Sequence, residues 1–332
     1  MNVLITGTTG FVGNSVLNLS LEEGHSIVTL GRKLSEYEDA KANFKQIICS
    51  DLSKLFVSES SDELKALNKA LQNIDVILHT AARVHILNDS GNEDLLSEFR
   101  KLNTTATFEL AKRAAHVGVK RFIFISSIKV NGEMTELGKP FKPSDDFIPN
   151  DPYGLSKYEA EQGLLALAKE TGMEVVIIRP PLVYGPGVRA NFASMMKWVN
   201  KGIPLPFGTI DNKRSLVALD NLVNFIIHCI DHPKAANEIF LISDGEDVST
   251  TELLRKVANA FGKKALLLPV PVSLMRFAAK LIGKADVANR LFGSLRVDSS
   301  KARDLLDWKP VVTMDEQLKK TADAYLENEK TL

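Results

Sequence analysis

The chain has 332 residues, of which 45% are apolar and 25% charged, a composition ordinary for a soluble globular protein with a substantial core in one or two domains. Lys+Arg and Asp+Glu both number 41, so no net field favours nucleic acid or an anionic membrane, and partners must be argued from local sites. Cys49 and Cys229 lie far apart without metal-type spacing, which predicts two buried thiols in a reducing compartment, with no disulfide and no metal site.

Met1 leads directly into "NVLIT" with no charged leader. No apolar run approaches the roughly 18 residues needed to span a bilayer, so a cytoplasmic protein without membrane insertion is expected.

The first predicted strand, 2–6, runs into "ITGTTGFVG", which places Gly7, Gly10 and Gly13 between that strand and a helix predicted at 11–23. Glycines there allow a tight turn, close backbone approach and free N–H groups at a helix start, the requirements for holding a pyrophosphate; the spacing is GxxGxxG rather than GxGxxG. A second strand, 26–30, ends in "TLGRK". Sites that prefer NAD carry an acid at that point to accept from the ribose 2′-hydroxyl, whereas here Gly31 is followed by Arg32, which suits a 2′-phosphate or else is a solvated turn residue.

The charged stretch 32–45 reads as a solvated loop or helix, and within it Tyr37 and Lys41 form one of two Tyr–Lys pairs at i,i+4. Further strands are predicted at 45–49 and 75–79, with a helix at 62–73 between them. His79, ending a buried strand, is expected to be a satisfied core histidine. A helix follows at 95–117 and a strand at 121–126.

That strand ends in Ser126 and Ser127, so hydroxyls stand at the carboxyl edge, where parallel α/β sheets bind their ligands. The next helix, 152–171, carries the second Tyr–Lys pair, Tyr153 and Lys157. Asp151 suits an N-cap and Pro152 a first helical position, so both side chains fall in the opening turns on one face, directed toward the sheet edge. A sixth strand is predicted at 174–180.

These near-continuous β-branched runs separated by helices predict a Rossmann-type doubly wound parallel sheet over 1–181. Beyond it, Pro and Gly interrupt the rhythm, and helices near 190–201, 219–231, 249–261 and 313–327 suggest a smaller mixed lobe over 182–332 for substrate, with some chain crossing back to the sheet.

From Met1 to about residue 312 the chain resembles the extended short-chain dehydrogenase/reductase family of nucleotide-sugar epimerases, dehydratases and reductases. The likeness lies in "TGTTGFVG", "SDL", "HTAA", "NTTAT", "SSIKVNG", "YGLSK", "RPPLVYGPG", "RSLVALDNL" and "SSKARDLLDWKP". The resemblance implies Ser127, Tyr153 and Lys157 as the catalytic set. It also implies an NADP or NAD site formed by Gly7, Gly10, Phe11, Val12, Gly13, Arg32, Asp51, Leu52, Ala81, Ala82, Asn103, Pro180 and the catalytic Tyr153 and Lys157.

For Asn103 the residue-based alternative is a polar side chain bonded to neighbouring backbone. Arg214 resembles the arginine that grips a substrate diphosphate; Asn191 and Arg296, together with Ser127 and Lys129, are further candidates for the substrate pocket, each of the first two with an equal case for a surface role. A UDP-sugar substrate and a homodimer are the implied partners.

One departure stands out: "KVNG" puts Asn131 where many members have tyrosine, with Lys129 two residues earlier. That stretch, with "IIRPPLVYGPGVRANF" and "FLISDGEDVST", is most similar to bacterial reductases that convert a UDP-4-keto-6-deoxy-N-acetylhexosamine to UDP-N-acetylquinovosamine in polysaccharide biosynthesis.

The chemistry follows from residue types. A free phenol has a pKa of about 10, and a nearby ammonium together with the nicotinamide charge would favour its anion. Tyr153 could then pass a proton to or from a sugar oxygen as hydride moves at the attached carbon. Lys157 would tune it and hold the nicotinamide ribose, and Ser127 would hydrogen-bond the reacting oxygen. A 4-ketoreductase is the expected activity; a UDP-hexose 4-epimerase with retained NAD and a non-catalytic dinucleotide sensor are the alternatives.

Overall fold

The computed structural model describes residues 1–32, 43–84 and 95–330. Seven strands form one parallel sheet: β1 (Asn2–Thr6), β2 (Ser26–Gly31), β3 (Phe44–Ile48), β4 (Val76–His79), β5 (Arg121–Ile125), β6 (Glu174–Arg179) and, from the second half of the chain, Ile239–Leu241. The spatial order is β3-β2-β1-β4-β5-β6 and then this last strand, with every neighbouring pair parallel. The winding reverses between β1 and β4, the place where such sheets bind ligands. Six of the seven strands are the predicted ones, each within a residue or two at its ends.

Alternation along each strand feeds two layers. Val3, Ile5, Ile123, Ile125, Val176 and Ile178 pack on one face, while Leu4, Ile77, Phe122, Phe124, Val175 and Ile177 pack on the other. The first face is covered by α1 (Phe11–Glu22). The second is covered by helices that follow the short α2 (Leu52–Leu55): α3 (Asp62–Leu71), α5 (Thr107–His116) and α6 (Pro152–Thr171).

The helix predicted as continuous over 95–117 is instead three pieces: α4 (Leu95–Arg100), a π-helical turn (Lys101–Ala106) and α5.

After β6, the short strands β7 (Leu182–Tyr184), β8 (Arg214–Ala218) and a later Asp247–Val248 form a small mixed sheet. With α7 (Ala190–Asn200) placed before β8, α8 (Leu219–His228) follows it; the strand Ile239–Leu241 is then β9 and Asp247–Val248 is β10. The remaining helices are α9 (Thr250–Ala260), α10 (Val272–Leu281), α11 (Ala285–Phe292), α12 (Ser300–Leu306) and α13 (Met314–Lys330). A separate core joins Tyr184, Phe192, Met196, Leu216, Leu253, Val257, Met314 and Leu318. The chain also returns to the main sheet, because Leu222, Phe225, Ile226, Phe240 and Trp308 join the core beneath α1. Both cysteines are buried free thiols.

Candidate active site at the carboxyl edge of the sheet

The glycines after β1 do different jobs. Gly7 has φ +77°, and a Cβ there would stand 2.6 Å from the Ala81 nitrogen; a Cβ on Gly13 would stand 2.2 Å from the Gly7 oxygen and 2.5 Å from Thr80 Oγ1. The protein's own packing therefore demands both. Gly10 meets only the Gly7 oxygen, at 3.1 Å. It is the N-cap of α1 without a side-chain cap, and no acidic residue sits in the first turn, so the opening N–H groups stay available to an anion.

Phe11 and Val12 begin that helix, partly buried. Ala81 is held against the turn by its N–H, which donates to Thr6 Oγ1 at 3.3 Å, with Ala82 beside it in the stretch after β4.

His79 is fully buried, with Nδ1 2.9 Å from Thr6 Oγ1 and Nε2 3.0 Å from Thr107 Oγ1. Burial, reinforced by the Lys157 charge, pushes it down to about 3, so it is a neutral core histidine.

Asp51 caps α2, accepting from Ser53 N at 2.9 Å and Ser53 Oγ at 2.6 Å. Burial works to raise its pKa, but the Ser53 hydrogen bonds win and hold it below the usual carboxylate range. Leu52 follows as the first residue of that helix.

The candidate catalytic face is built by two turns packed together. Ser127 opens a 3₁₀ turn, Ile128–Val130, and accepts from the Lys129 N–H at 3.3 Å. The Ile128 N–H donates to the Pro180 carbonyl at 3.0 Å, so Pro180 supports that turn through its backbone. Asp151 caps α6, its Oδ2 accepting from Gly154 N at 2.8 Å, with Pro152 in the first turn. A Cβ on Gly154 would lie 3.0 Å from the Lys129 carbonyl, which is why the two turns can touch.

This seats Tyr153 on the side of Ser127, whose hydroxyl works to lower the phenol's pKa, with its ring edge-on to Phe99 at 5.7 Å. Lys129 Nζ stands 5.9 Å from the ring centroid and 3.1 Å from Asp151 Oδ2.

Lys157, one turn on, is 1% exposed. Its Nζ donates to the Ile125 carbonyl at 2.9 Å and lies 4.3 Å from the Phe124 ring centroid. Burial brings it down to about 7, with Glu161 pulling the other way. Tyr153 is raised to about 12: burial dominates, Ser127 opposes it and Asp151 adds to it. The expectation that the ammonium lowers the phenol is thus corrected for this arrangement. The lysine is turned to a strand carbonyl, and desolvation of the phenolate outweighs any help from the charge.

Asn103, in the π-helical turn, accepts from the Arg83 N–H at 2.8 Å and donates to the Arg83 carbonyl at 3.0 Å and to Ser156 Oγ at 3.1 Å. Ser156 in turn donates to the Tyr153 carbonyl at 2.8 Å. Asn103 therefore acts on backbone, steadying α6 beneath Tyr153.

Sequence reasoning missed Ser156, whose signal was its place within "YGLSK". It also missed the role of Asn131, which donates to the Lys142 carbonyl at 2.8 Å and accepts from Arg179 Nη1 at 3.0 Å. Arg179 is also bidentate to Glu161, at 3.0 and 2.5 Å. Asparagine in place of tyrosine thus completes a buried charged network directly below Lys157.

The substrate candidates are more scattered. Arg214 donates through Nη1 to the carbonyls of Arg290 at 2.7 Å and Gly293 at 3.1 Å. Arg296 is committed to Asp247 at 2.6 Å, and Asn191 is exposed at the start of α7. Arg32 is exposed just past β2, whereas Tyr37 and Lys41 lie outside the described residues.

Residues 3–243 match the model of the NAD dependent epimerase/dehydratase family. This chain belongs to that family. A Vibrio cholerae protein named UDP-glucose 4-epimerase is 49% identical over 98% of this chain and 96% of its own length. The Escherichia coli dTDP-4-dehydro-6-deoxyglucose reductase is 25% identical over 96% of this chain and 95% of its own length. Among solved structures, Bacillus cereus UDP-glucuronic acid 4-epimerase with NAD superposes with a TM-score of 0.76 at 22% identity, covering 98% of this chain and 99% of that one.

Membership makes the chain an NAD(P)-dependent enzyme that modifies nucleotide sugars. The likeness of "SSIKVNG" to 4-ketoreductases is outweighed, because a short motif carries less than an alignment of 328 residues that runs to an epimerase.

The site fits the family's dinucleotide. An uncapped helix start faces the switch point, and Ser126 Oγ, at the end of β5, is buried without a partner among the described residues. Arg32→Ala is expected to weaken NADPH binding far more than NADH binding, since only NADPH carries the 2′-phosphate that a guanidinium grips. Equal losses in a fluorescence titration of the two would make Arg32 a bystander.

Among the described residues no helix is long and apolar enough to cross a membrane.

Proposed function

We propose that this family member interconverts the C4 epimers of a UDP-hexose. The observation that carries the reading is the 49% identity to the V. cholerae epimerase across nearly the whole of both chains, joined to a sheet edge at which Ser127 opens one turn and Tyr153 and Lys157 lie one helical turn apart on α6. A bound nicotinamide supplies the hydride acceptor and donor at C4.

The chain's residues do the rest. Tyr153 exchanges a proton with O4, and Ser127 orients that oxygen through its own hydroxyl. Lys157, one helical turn from Tyr153 and held on the Ile125 carbonyl, would donate to the nicotinamide ribose. Arg214 anchors the diphosphate, for which its present contacts leave the Nε and Nη2 side of a five-donor fork. Phe99, edge-on to Tyr153, helps keep the reacting oxygen away from bulk water.

A second reading, the 4-ketoreductase, draws support from Gly31 and Arg32, because a site without the acidic ribose partner suits a cofactor that is exchanged each cycle. The two separate in one assay that offers UDP-glucose, UDP-N-acetylglucosamine and a UDP-4-keto-6-deoxy-N-acetylhexosamine in parallel, followed by NMR. Interconversion of C4 epimers without added cofactor is the expected result. Stoichiometric consumption of NAD(P)H with the keto sugar, and no epimer formation, would establish the reductase.

A further inference from the structure

Helix α10 has no buried residue. At 100° per residue, Val272, Met275 and Ala279 share the side on which α10 is partly covered. Leu274, Phe277 and Leu281 form a second stripe, 57%, 61% and 72% exposed, continued by Ile282 at 72%. The third side carries Arg276 and Lys280, with Lys284 just beyond the helix, all exposed. From 263 to 285 there are five basic residues (Lys263, Lys264, Arg276, Lys280 and Lys284) and no Asp or Glu, in a chain whose charges balance as a whole.

An exposed apolar stripe flanked by cations, on a helix that meets the body through Val272, Met275 and Ala279, is the pattern of a helix that lies in a lipid headgroup layer. We propose that α10 docks this enzyme on an anionic phospholipid surface, with Leu274, Phe277 and Leu281 immersed and Lys280 and Lys284 on lipid phosphates. Charge also argues against a second copy of the chain as the occupant: a two-fold contact would set this acid-free cationic helix against itself.

Arg276 Nη1 donates to Asn289 Oδ1 on α11 at 2.9 Å, and α11 runs to the Gly293 carbonyl that Arg214 holds. The docking face and the proposed diphosphate anchor thus share a support. The proposal does not depend on which C4 chemistry the site performs.

The test is co-sedimentation of the full chain with vesicles of phosphatidylcholine alone or mixed with phosphatidylglycerol. Binding to the mixed vesicles only, weakening as salt is raised, is expected. Phe277→Glu with Leu281→Glu should lower the partition coefficient by at least about tenfold, since two apolar side chains leave the acyl boundary. Lys280→Gln and Lys284→Gln should each lower it about fivefold. Both sets lie on exposed positions and should keep the parent melting temperature and turnover.

No binding to phosphatidylglycerol vesicles at low salt would overturn the proposal. So would unchanged binding by both sets of variants, or a halved solution mass of the Phe277→Glu/Leu281→Glu variant by light scattering, which would mark the stripe as a contact between copies.

Discussion

Tyr153→Phe should fold and bind cofactor like the parent while losing about 10²- to 10⁴-fold in turnover, the contribution typical of a positioned acid–base group. The substitution removes only the hydroxyl. The ring keeps its edge-on contact with Phe99 and its place beside Lys129, and Asp151, Pro152 and Gly154 still set the helix start.

Because Tyr153 sits at about 12, raised first by burial and further by Asp151 against the pull of Ser127, the phenol is neutral near pH 7 before cofactor binds, the form that returns a proton to the ketone oxygen; taking the proton from the C4 hydroxyl in the other half of the cycle needs the phenolate, which the positive charge of a bound nicotinamide would favour. Asp151→Asn removes a like charge and should move the phenol downward. Single-turnover kinetics beside a cofactor titration separates chemistry from binding. Turnover near that of the parent would remove Tyr153 from the mechanism, and Tyr37→Phe is the matched control expected to change nothing.

Glu161→Ala should cost about 3–5 kcal/mol of stability, read as a lower urea midpoint, because it strands a buried guanidinium. Glu161 is 0% and Arg179 4% exposed, and Asn131 supplies only one neutral acceptor to replace two charged ones. Glu161→Gln keeps the shape and one acceptor and should cost less. Both changes remove the group that raises Lys157, so any ionisation of Lys157 near 7 in the kcat/KM profile should move to lower pH. An unchanged midpoint for Glu161→Ala would show that Arg179 finds other partners at no cost.

Most of the main sheet was legible because parallel strands covered on both faces must be apolar through their length, as the middles of β1, β4, β5 and β6 are; the edge strand β3, "FKQII", shows itself by β-branched residues at its end. The strand β9 escaped notice: three residues, "IFL", give no period to read, and it follows a long excursion through the second lobe. The helix α10 was invisible for the opposite reason, since its apolar stripe faces outward and prolines at 269 and 271 disguise its start.

At the site, placement was readable from local rules. Asp151 and Pro152 announced the helix that carries Tyr153, and Gly7 and Gly13 announced a turn that tolerates no Cβ. Balance was not readable. Spacing put an ammonium four residues from a phenol, but only the fold shows that its nitrogen turns to Ile125 and that burial decides the sign. The pairing of Asn131 with Arg179 and Glu161 joins three distant stretches, and no single stretch contains its logic.

The π-helical turn at Lys101–Ala106 bears on how this chain aligns with its relatives. A π turn closes its hydrogen bonds one residue further on than an α turn, so a chain one residue shorter here could join α4 to α5 as a single straight helix without losing a backbone bond. What it would lose is the placement of Asn103: the turn absorbs its extra residue locally, so α4 and α5 keep their phase while the residues within the turn shift, and Asn103 would swing off Arg83 and Ser156. In relatives with a regular helix, a gap of one position belongs inside this turn, and the residue aligned to Asn103 across an ungapped stretch points elsewhere.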